Sequence, residues 1–239
     1  MSDAIPLNEK YGMEQCVYVS AEGKKLNYCR RQFGKAGKES AVVLFLHGAG
    51  ERGDNNSAQL FHGAREMCEF CTKNNLNVLA LFPQCPADHQ WVNTPWGDPA
   101  HTMPEESEDM RLAMAMLEQE LEKTGSDRRK VYVMGISMGG YGTWDAISRY
   151  PEKFAAAFPV CGGVDVKQVE NFKKVPLLIY HGEVDSVVMP KRSRDAAAAL
   201  EAAGCKTYRY VEVPGRDHDS WVPAFAEEAN WKWLFEQSK

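Results

Sequence analysis

The chain has 239 residues, 44% of them hydrophobic and 26% charged, and carries a net charge of -5 at pH 7. That length suits one domain with a substantial core, and the mildly acidic balance offers no basic footprint for nucleic acid. The longest apolar run, residues 41–47, is far too short to cross a bilayer, so no membrane association is expected.

Residues 1–15 have neither a basic lead nor an apolar core, so they do not read as an export signal. Seven cysteines without a small-domain spacing fit reduced thiols, and together these features predict a cytoplasmic protein. Residues 15–19 and 25–31 alternate and flank Ala21-Glu22-Gly23, which predicts an antiparallel hairpin. Residues 41–46, 78–82, 131–134 and 175–180 are continuous apolar runs, as expected of strands covered on both faces. Residues 155–160 form a weaker fifth run, and 207–213 a last strand.

Between the strands the period changes. Leu60, Ala64, Met67, Cys68 and Cys71 share one helical face. Cys68 and Cys71 form a C-x-x-C, but no second pair completes a metal site, and the inner face of a helix is the expected place for both. Met110, Met114, Leu117 and Leu121 repeat the helical spacing after Pro104, with Glu105 and Glu106 suited to the first turn. Pro190 is expected to open a helix that stops at Gly204. Residues 223–235 read as one last helix with Phe225, Ala229 and Trp233 facing inward. The alternation predicts a mainly parallel sheet with helices on both faces, in a single domain over 1–239. Residues 83–104 break the rhythm with a run rich in Pro, Trp and His. Loops this long are usually functional or disordered, and Trp91 and Trp96 argue against disorder.

Chemistry concentrates in four places. Gly135-Ile136-Ser137-Met138-Gly139 follows a strand and precedes a helical stretch. A serine at such a tight turn holds its hydroxyl above the sheet, and small residues two positions away on either side avoid clashes within the turn. Ser137 is therefore the candidate nucleophile. A serine hydroxyl needs a base, and the base needs an orienting acid. Asp185 follows the strand at 175–180 and is the preferred acid; Asp165, after the weaker strand at 155–160, is the rival. His218 is the only imidazole between the last strand and the last helix, and is the candidate base. His47 and His181 end strands in His-Gly pairs and are expected to brace turns. His62 sits at a surface-like helix start, and His89 and His101 belong to the Trp-rich loop, within reach of a substrate. No histidine pair has metal-ligand spacing, so no metal is expected.

Attack on an acyl carbon leaves a negative oxygen, and each backbone amide aimed at it is worth about 2.7–4 kcal/mol. The amide of Met138, next to the nucleophile, is one expected donor. The second is expected from His47-Gly48-Ala49-Gly50-Glu51-Arg52-Gly53, with Ala49 as the donor and Gly48 allowing close approach of a ligand. The loop lacks G-x-x-x-x-G-K-[ST], so it does not read as a phosphate cradle.

The segments LHGAGERGD, GISMGGYGTW, HGEVDSVV and HDSW, in that order, resemble α/β-hydrolase-fold carboxylesterases of the phospholipase/carboxylesterase and dienelactone-hydrolase-like group. That group includes the cores of carbohydrate esterases such as feruloyl esterases. The resemblance runs from about Val42 to the C-terminus. It implies an eight-stranded sheet, no cofactor, a triad of Ser137, Asp185 and His218, and oxyanion donors at Ala49 and Met138. Dienelactone hydrolases use a cysteine nucleophile where this chain has Ser137, which points to ester cleavage.

The expected activity is hydrolysis of a small-molecule carboxylic ester through an acyl-enzyme. Thioesterase or peptidase activity with the same triad is the alternative, and a non-catalytic ligand-binding protein on this fold is a third reading. Trp91 and Trp96 would either wall the substrate pocket by stacking on a sugar or aromatic acyl ring, or anchor the loop in the core. The extra segment carries Asp88, Asp98 and several prolines rather than an apolar lid, so soluble esters with short or aromatic acyl groups are expected.

Overall fold

In the computed structural model, which describes residues 5–239, the uninterrupted apolar runs become strands buried on both faces. The strands are β1 (Glu14–Val19), β2 (Lys25–Phe33), β3 (Ala41–Leu46), β4 (Val78–Gln84), β5 (Val131–Ile136), β6 (Ala156–Val160), β7 (Leu177–Gly182) and β8 (Tyr208–Val213). They form one sheet in the order β1-β2-β4-β3-β5-β6-β7-β8. The alternating strands β1 and β2 are the antiparallel ones, and β4 through β8 run parallel. This is the α/β-hydrolase fold.

Side chains alternate across the sheet, as a pleated strand requires. In β3, Val42, Leu44 and Leu46 join one apolar layer, while Val43 and Phe45 join the other. The first layer is closed by α3 (Glu108–Thr124), α4 (Met138–Arg149), α5 (Val169–Phe172) and α6 (Lys191–Ala202). The second is closed by α2 (Ala64–Lys73), α7 (Trp221–Ala226) and α8 (Glu228–Glu236), with the short α1 (Leu7–Lys10) at its margin. Cys68 and Cys71 lie buried on α2, and burial pushes their thiols up to about 11 and about 12.

Two helix assignments change. α3 starts at Glu108, because Ser107 caps it by accepting the Met110 amide at 3.0 Å. Glu108 and Asp109, not Glu105 and Glu106, therefore occupy the acidic first turn. The last helix is two helices, broken at Glu227, whose backbone is extended and whose side chain accepts the Ala229 amide. The break is stable because side chains take over the freed carbonyls of α7. Asn230 donates to Ala224 O at 2.8 Å, and the Trp231 indole to Phe225 O at 2.8 Å. It also resets the inward face: Phe225 is buried as expected, but Ala229 is exposed, and Asn230, Trp231 and Leu234 fill the core.

Because β3, β5, β6, β7 and β8 are parallel, the loops leaving their C-terminal ends gather on one edge of the sheet, where open α/β sheets carry their ligands. Residues 85–107 form neither helix nor strand on that edge, and leave from the end of β4.

Candidate active site

Ser137 joins β5 to α4 with φ 54° and ψ −118°, a strained conformation for a residue with a side chain. The turn is possible because its neighbours are glycines. A Cβ at Gly135 would strike the Gly139 carbonyl, and one at Gly139 would strike the carbonyl of Leu46. The strain is held by ordinary hydrogen bonds: the Ser137 amide donates to Val160 O at 3.0 Å, and its carbonyl accepts from Tyr141 at 3.0 Å.

The loops after β7 and β8 bring two more groups to this hydroxyl. His218 Nε2 lies 2.8 Å from Ser137 Oγ, and its Nδ1 lies 2.8 and 3.0 Å from the two oxygens of Asp185. Asp185 Oδ1 also accepts the amides of Val187 and Val188 at 2.9 and 2.8 Å, and Oδ2 lies 3.3 Å from His181 Nε2. Burial opposes ionisation of Asp185, but bonds from His181, His218 and the Val188 amide outweigh it and hold the carboxyl well below its usual range. With Asp185 ionised, His218 Nδ1 carries its proton and Nε2 is free to accept one. Asp217 fastens the two loops together by accepting from Ser186 N, Ser186 Oγ and His218 N at 2.7, 2.9 and 2.8 Å.

His47 and His181 brace turns, as expected. His47 Nδ1 donates to Gly48 O at 2.6 Å, and its Nε2 accepts the Cys85 amide at 2.9 Å; burial pushes this imidazole down to about 4. A trans peptide sets N–H opposite C=O, so holding the Gly48 carbonyl turns the Ala49 amide away from His47. Met138 is the first residue of α4, where an amide has no partner within the helix. Neither the Ala49 nor the Met138 amide donates to a carbonyl of the described turns and loops. Gly48 is buried: the place its Cβ would take is bounded by Glu51 Oε2 at 3.0 Å and Ser137 Cβ at 3.6 Å.

Asp165 stands apart from this line. It accepts Met103 N at 3.0 Å and Lys167 N at 3.1 Å, tying the 85–107 segment to the end of β6. The histidines of that segment are also ties. His89 pairs with Asp109 at 2.8 Å, and His101 with the buried Arg192 at 2.6 Å, where burial and the guanidinium push its imidazole down to about 4. Arg192 adds bonds to the carbonyls of Asp98 and Pro95.

Trp91 does not wall a pocket. Its exposure is 0%, its indole donates to His47 O at 3.1 Å, and Ser107 Oγ donates to its carbonyl at 2.7 Å. A large aromatic with a satisfied N–H beneath the nucleophile loop is a core anchor. Trp96 is half-buried, and its carbonyl accepts the Tyr141 hydroxyl of α4 at 3.2 Å.

Cys161, Asp185 and His218 form a group of metal-donor side chains within 4.8 Å among the described residues. The Cys161 thiol is fully buried and pushed far up by that burial, so it stays protonated behind the other two.

A model of the Phospholipase/Carboxylesterase family matches residues 31–230. The chain belongs to that family. Among solved structures, a thermostable esterase superposes with a TM-score of 0.86 at 33% identity, over 95% of this chain and 63% of that one. Carboxylesterase SOBER1 of Arabidopsis thaliana is 26% identical over 199 residues, covering 74% of this chain and 82% of its own. An uncharacterized secreted protein of Arthroderma benhamiae is 27% identical over 214 residues, and the match spans 74% of this chain but 21% of that protein. Among the described residues of this family member, no helix is long and apolar enough to cross a membrane.

Several site residues escape a reading of the sequence. Asp217 sits beside His218, yet its role is visible only when Ser186 arrives from another loop. His62 is not at an open surface: it is half-buried, its ring 5.0 Å from Trp221, whose ring in turn lies 5.4 Å from His218. The adjacency of Trp221 to His218 in HDSW is the one local signal for this cluster.

Proposed function

We propose that this family member is a serine hydrolase that cleaves carboxylic esters through an acyl-enzyme on Ser137. The unbroken hydrogen-bond line from Ser137 Oγ through His218 to Asp185, drawn from three separate loops, is the observation that carries the reading.

In this mechanism His218 Nε2 takes the Ser137 proton as Oγ attacks the acyl carbon, and Asp185 stabilises the imidazolium that forms. The oxyanion rests on the amides of Ala49 and Met138. Collapse breaks the bond to the alcohol oxygen, which receives the proton from His218. Water then gives a proton to His218 and attacks the acyl carbon, and the acid leaves as Ser137 recovers its hydrogen. No group beyond the chain's own residues is required.

The substrate we propose is a soluble ester with a short or aromatic acyl group. Trp96, half-buried above α4, is the proposed acyl contact, with Gly48 leaving room beside the nucleophile. Seven free thiols support a reducing, cytoplasmic setting.

The test is covalent labelling with a fluorophosphonate, followed by a panel of p-nitrophenyl esters, matched thioesters and peptides. Labelling at Ser137 and faster turnover of esters are expected. An unlabelled Ser137 would favour a binding protein, and faster cleavage of long-chain than short-chain esters would overturn the substrate reading.

A further inference from the structure

Asp185 Oδ2 lies between two imidazoles. His218 Nδ1 is 2.8 Å away, and His181 Nε2 is 3.3 Å away. The hydrolytic cycle uses only the first. His218 keeps 20% of its side chain exposed, whereas the side chains of His181 and Asp185 have no exposure at all. Polar groups buried this completely are costly unless each has its partners.

Those partners fix the proton of His181. Its Nε2 also lies 2.8 Å from Val188 O. A carbonyl and an ionised carboxylate can only accept, so Nε2 carries the hydrogen and shares it between them. Nδ1 is then a lone pair, and it faces Ser193 Oγ at 2.7 Å. Ser193 is buried in the first turn of α6, and this imidazole is the one partner of its hydroxyl among the described residues. Hydrogen bonds therefore point from Ser193 to His181 and from His181 to Asp185. Val188 ties the other oxygen, since its amide donates to Asp185 Oδ1 at 2.8 Å. The carboxylate cannot turn without breaking bonds at both oxygens.

The second imidazole has a chemical consequence as well. A carboxylate that already accepts from His181 offers less negative charge to His218, which limits how strongly it stabilises the imidazolium. A base stabilised too far in its protonated form could not take the Ser137 proton near neutral pH.

We propose that His181 and Ser193 are positioning residues of the hydrolytic line. Ser193 fixes the tautomer of His181, and His181 orients Asp185 and moderates its pull on His218. This rests on the ester-hydrolase reading and adds two residues to it. Tyr141, Cys161 and Asp217 also face Asp185, and Glu212 is the register partner of His181 on β8. None of these four is altered in the variants that test the idea.

Proton–nitrogen correlation spectra of the wild-type imidazoles should show one hydrogen on His181, at Nε2. A hydrogen at Nδ1, or at both nitrogens, overturns the proposal. Kinetics then read the effect on the base, as kcat/KM for p-nitrophenyl acetate and as the rate of fluorophosphonate labelling. His181→Asn, whose amide is too short to reach Asp185, should lower both by about 10- to 100-fold. His181→Gln, whose amide can reach the place of Nε2, should recover about fivefold or more of that loss. Ser193→Ala should cost about three- to tenfold. In His181→Asn the acid limb of the kcat/KM profile should move up by about 0.5–1 pH unit, because His218 then faces a carboxylate with one donor fewer. Ser193→Ala should move it the same way by a smaller step, and it serves alone if His181→Asn does not fold. A brace without this role would lower the rates equally at every pH. An acid limb that stays within about 0.2 pH unit of wild type in every folded variant overturns the proposal. A wild type that neither labels at Ser137 nor cleaves any ester would instead overturn the hydrolase reading, while the spectra would still report the tautomer.

Discussion

Asp165 and Asp185 follow neighbouring parallel strands, and locally they are the same device. Each is buried, with 4% and 6% exposure, and each accepts amides of its own turn: Lys167 N at 3.1 Å for one, Val187 N and Val188 N at 2.9 and 2.8 Å for the other. They part company in the remaining partner. Asp185 meets His218, delivered by the loop after β8, whereas Asp165 meets the Met103 amide of the 85–107 segment. A turn aspartate is thus a common local solution, and a second chain segment decides whether it meets an imidazole or ties down a loop.

The largest expected effect tests the premise of that contrast. Ser137→Ala should abolish fluorophosphonate labelling and lower kcat by roughly a millionfold, with the melting temperature little changed. Near-wild-type turnover would remove the reason to rank the two aspartates at all. Asp185→Asn comes next. An amide neither stabilises the imidazolium nor fixes its tautomer, so kcat should fall about ten-thousandfold. Asp165→Asn should cost less than about tenfold, because its partners are backbone and amide groups. Equal losses in kcat at the two positions would dissolve the comparison.

Stability sharpens it from the other side. Trp91→Ala removes the anchor of the segment that Asp165 ties, at about 3–5 kcal/mol, or roughly 6–20 °C in melting temperature. Cleavage of acetate and aromatic esters should fall alike in that variant. A selective loss of the aromatic ester would return Trp91 to the pocket. Asp165→Asn should cost about 1–3 kcal/mol, or roughly 2–12 °C, through the unpaired Met103 amide.

The smallest effect is the pH dependence. Burial opposes ionisation of Asp165 too, and the Met103 and Lys167 amides outweigh it, so both carboxyls titrate below their usual range. Depressed values mean that the stability each contributes is fully present above the unfolded carboxylate pKa of about 3.9 and is lost as pH falls through the folded one. Denaturant unfolding of wild type and each Asp→Asn variant should show a gap that is constant above about pH 5 and narrows below about pH 4. The gap for Asp185 should persist to lower pH, since its carboxyl is held further down. A gap independent of pH would mean that neither carboxylate is ionised in the folded protein.

What the sequence by itself determined is the part written in local terms. Short continuous apolar runs bounded by turn residues fit strands covered on both faces, and β3, β4, β5 and β7 lie on those runs within two residues. The Gly135-x-Ser137-x-Gly139 turn is similarly local, since its glycines are demanded by backbone contacts that any such turn makes. Tertiary structure decided the rest. It split the last helix at Glu227, where Asn230 and Trp231 cap α7 and lie buried against the sheet layer. It buried Trp91, whose indole needed the His47 carbonyl from the loop after β3, 44 residues away. It chose between two aspartates that both accept amides of their own turns. Apart from the helix break, whose caps are six residues from the carbonyls they hold, each of these outcomes depends on a partner distant in the chain, and local spacing carries no information about which distant group will arrive.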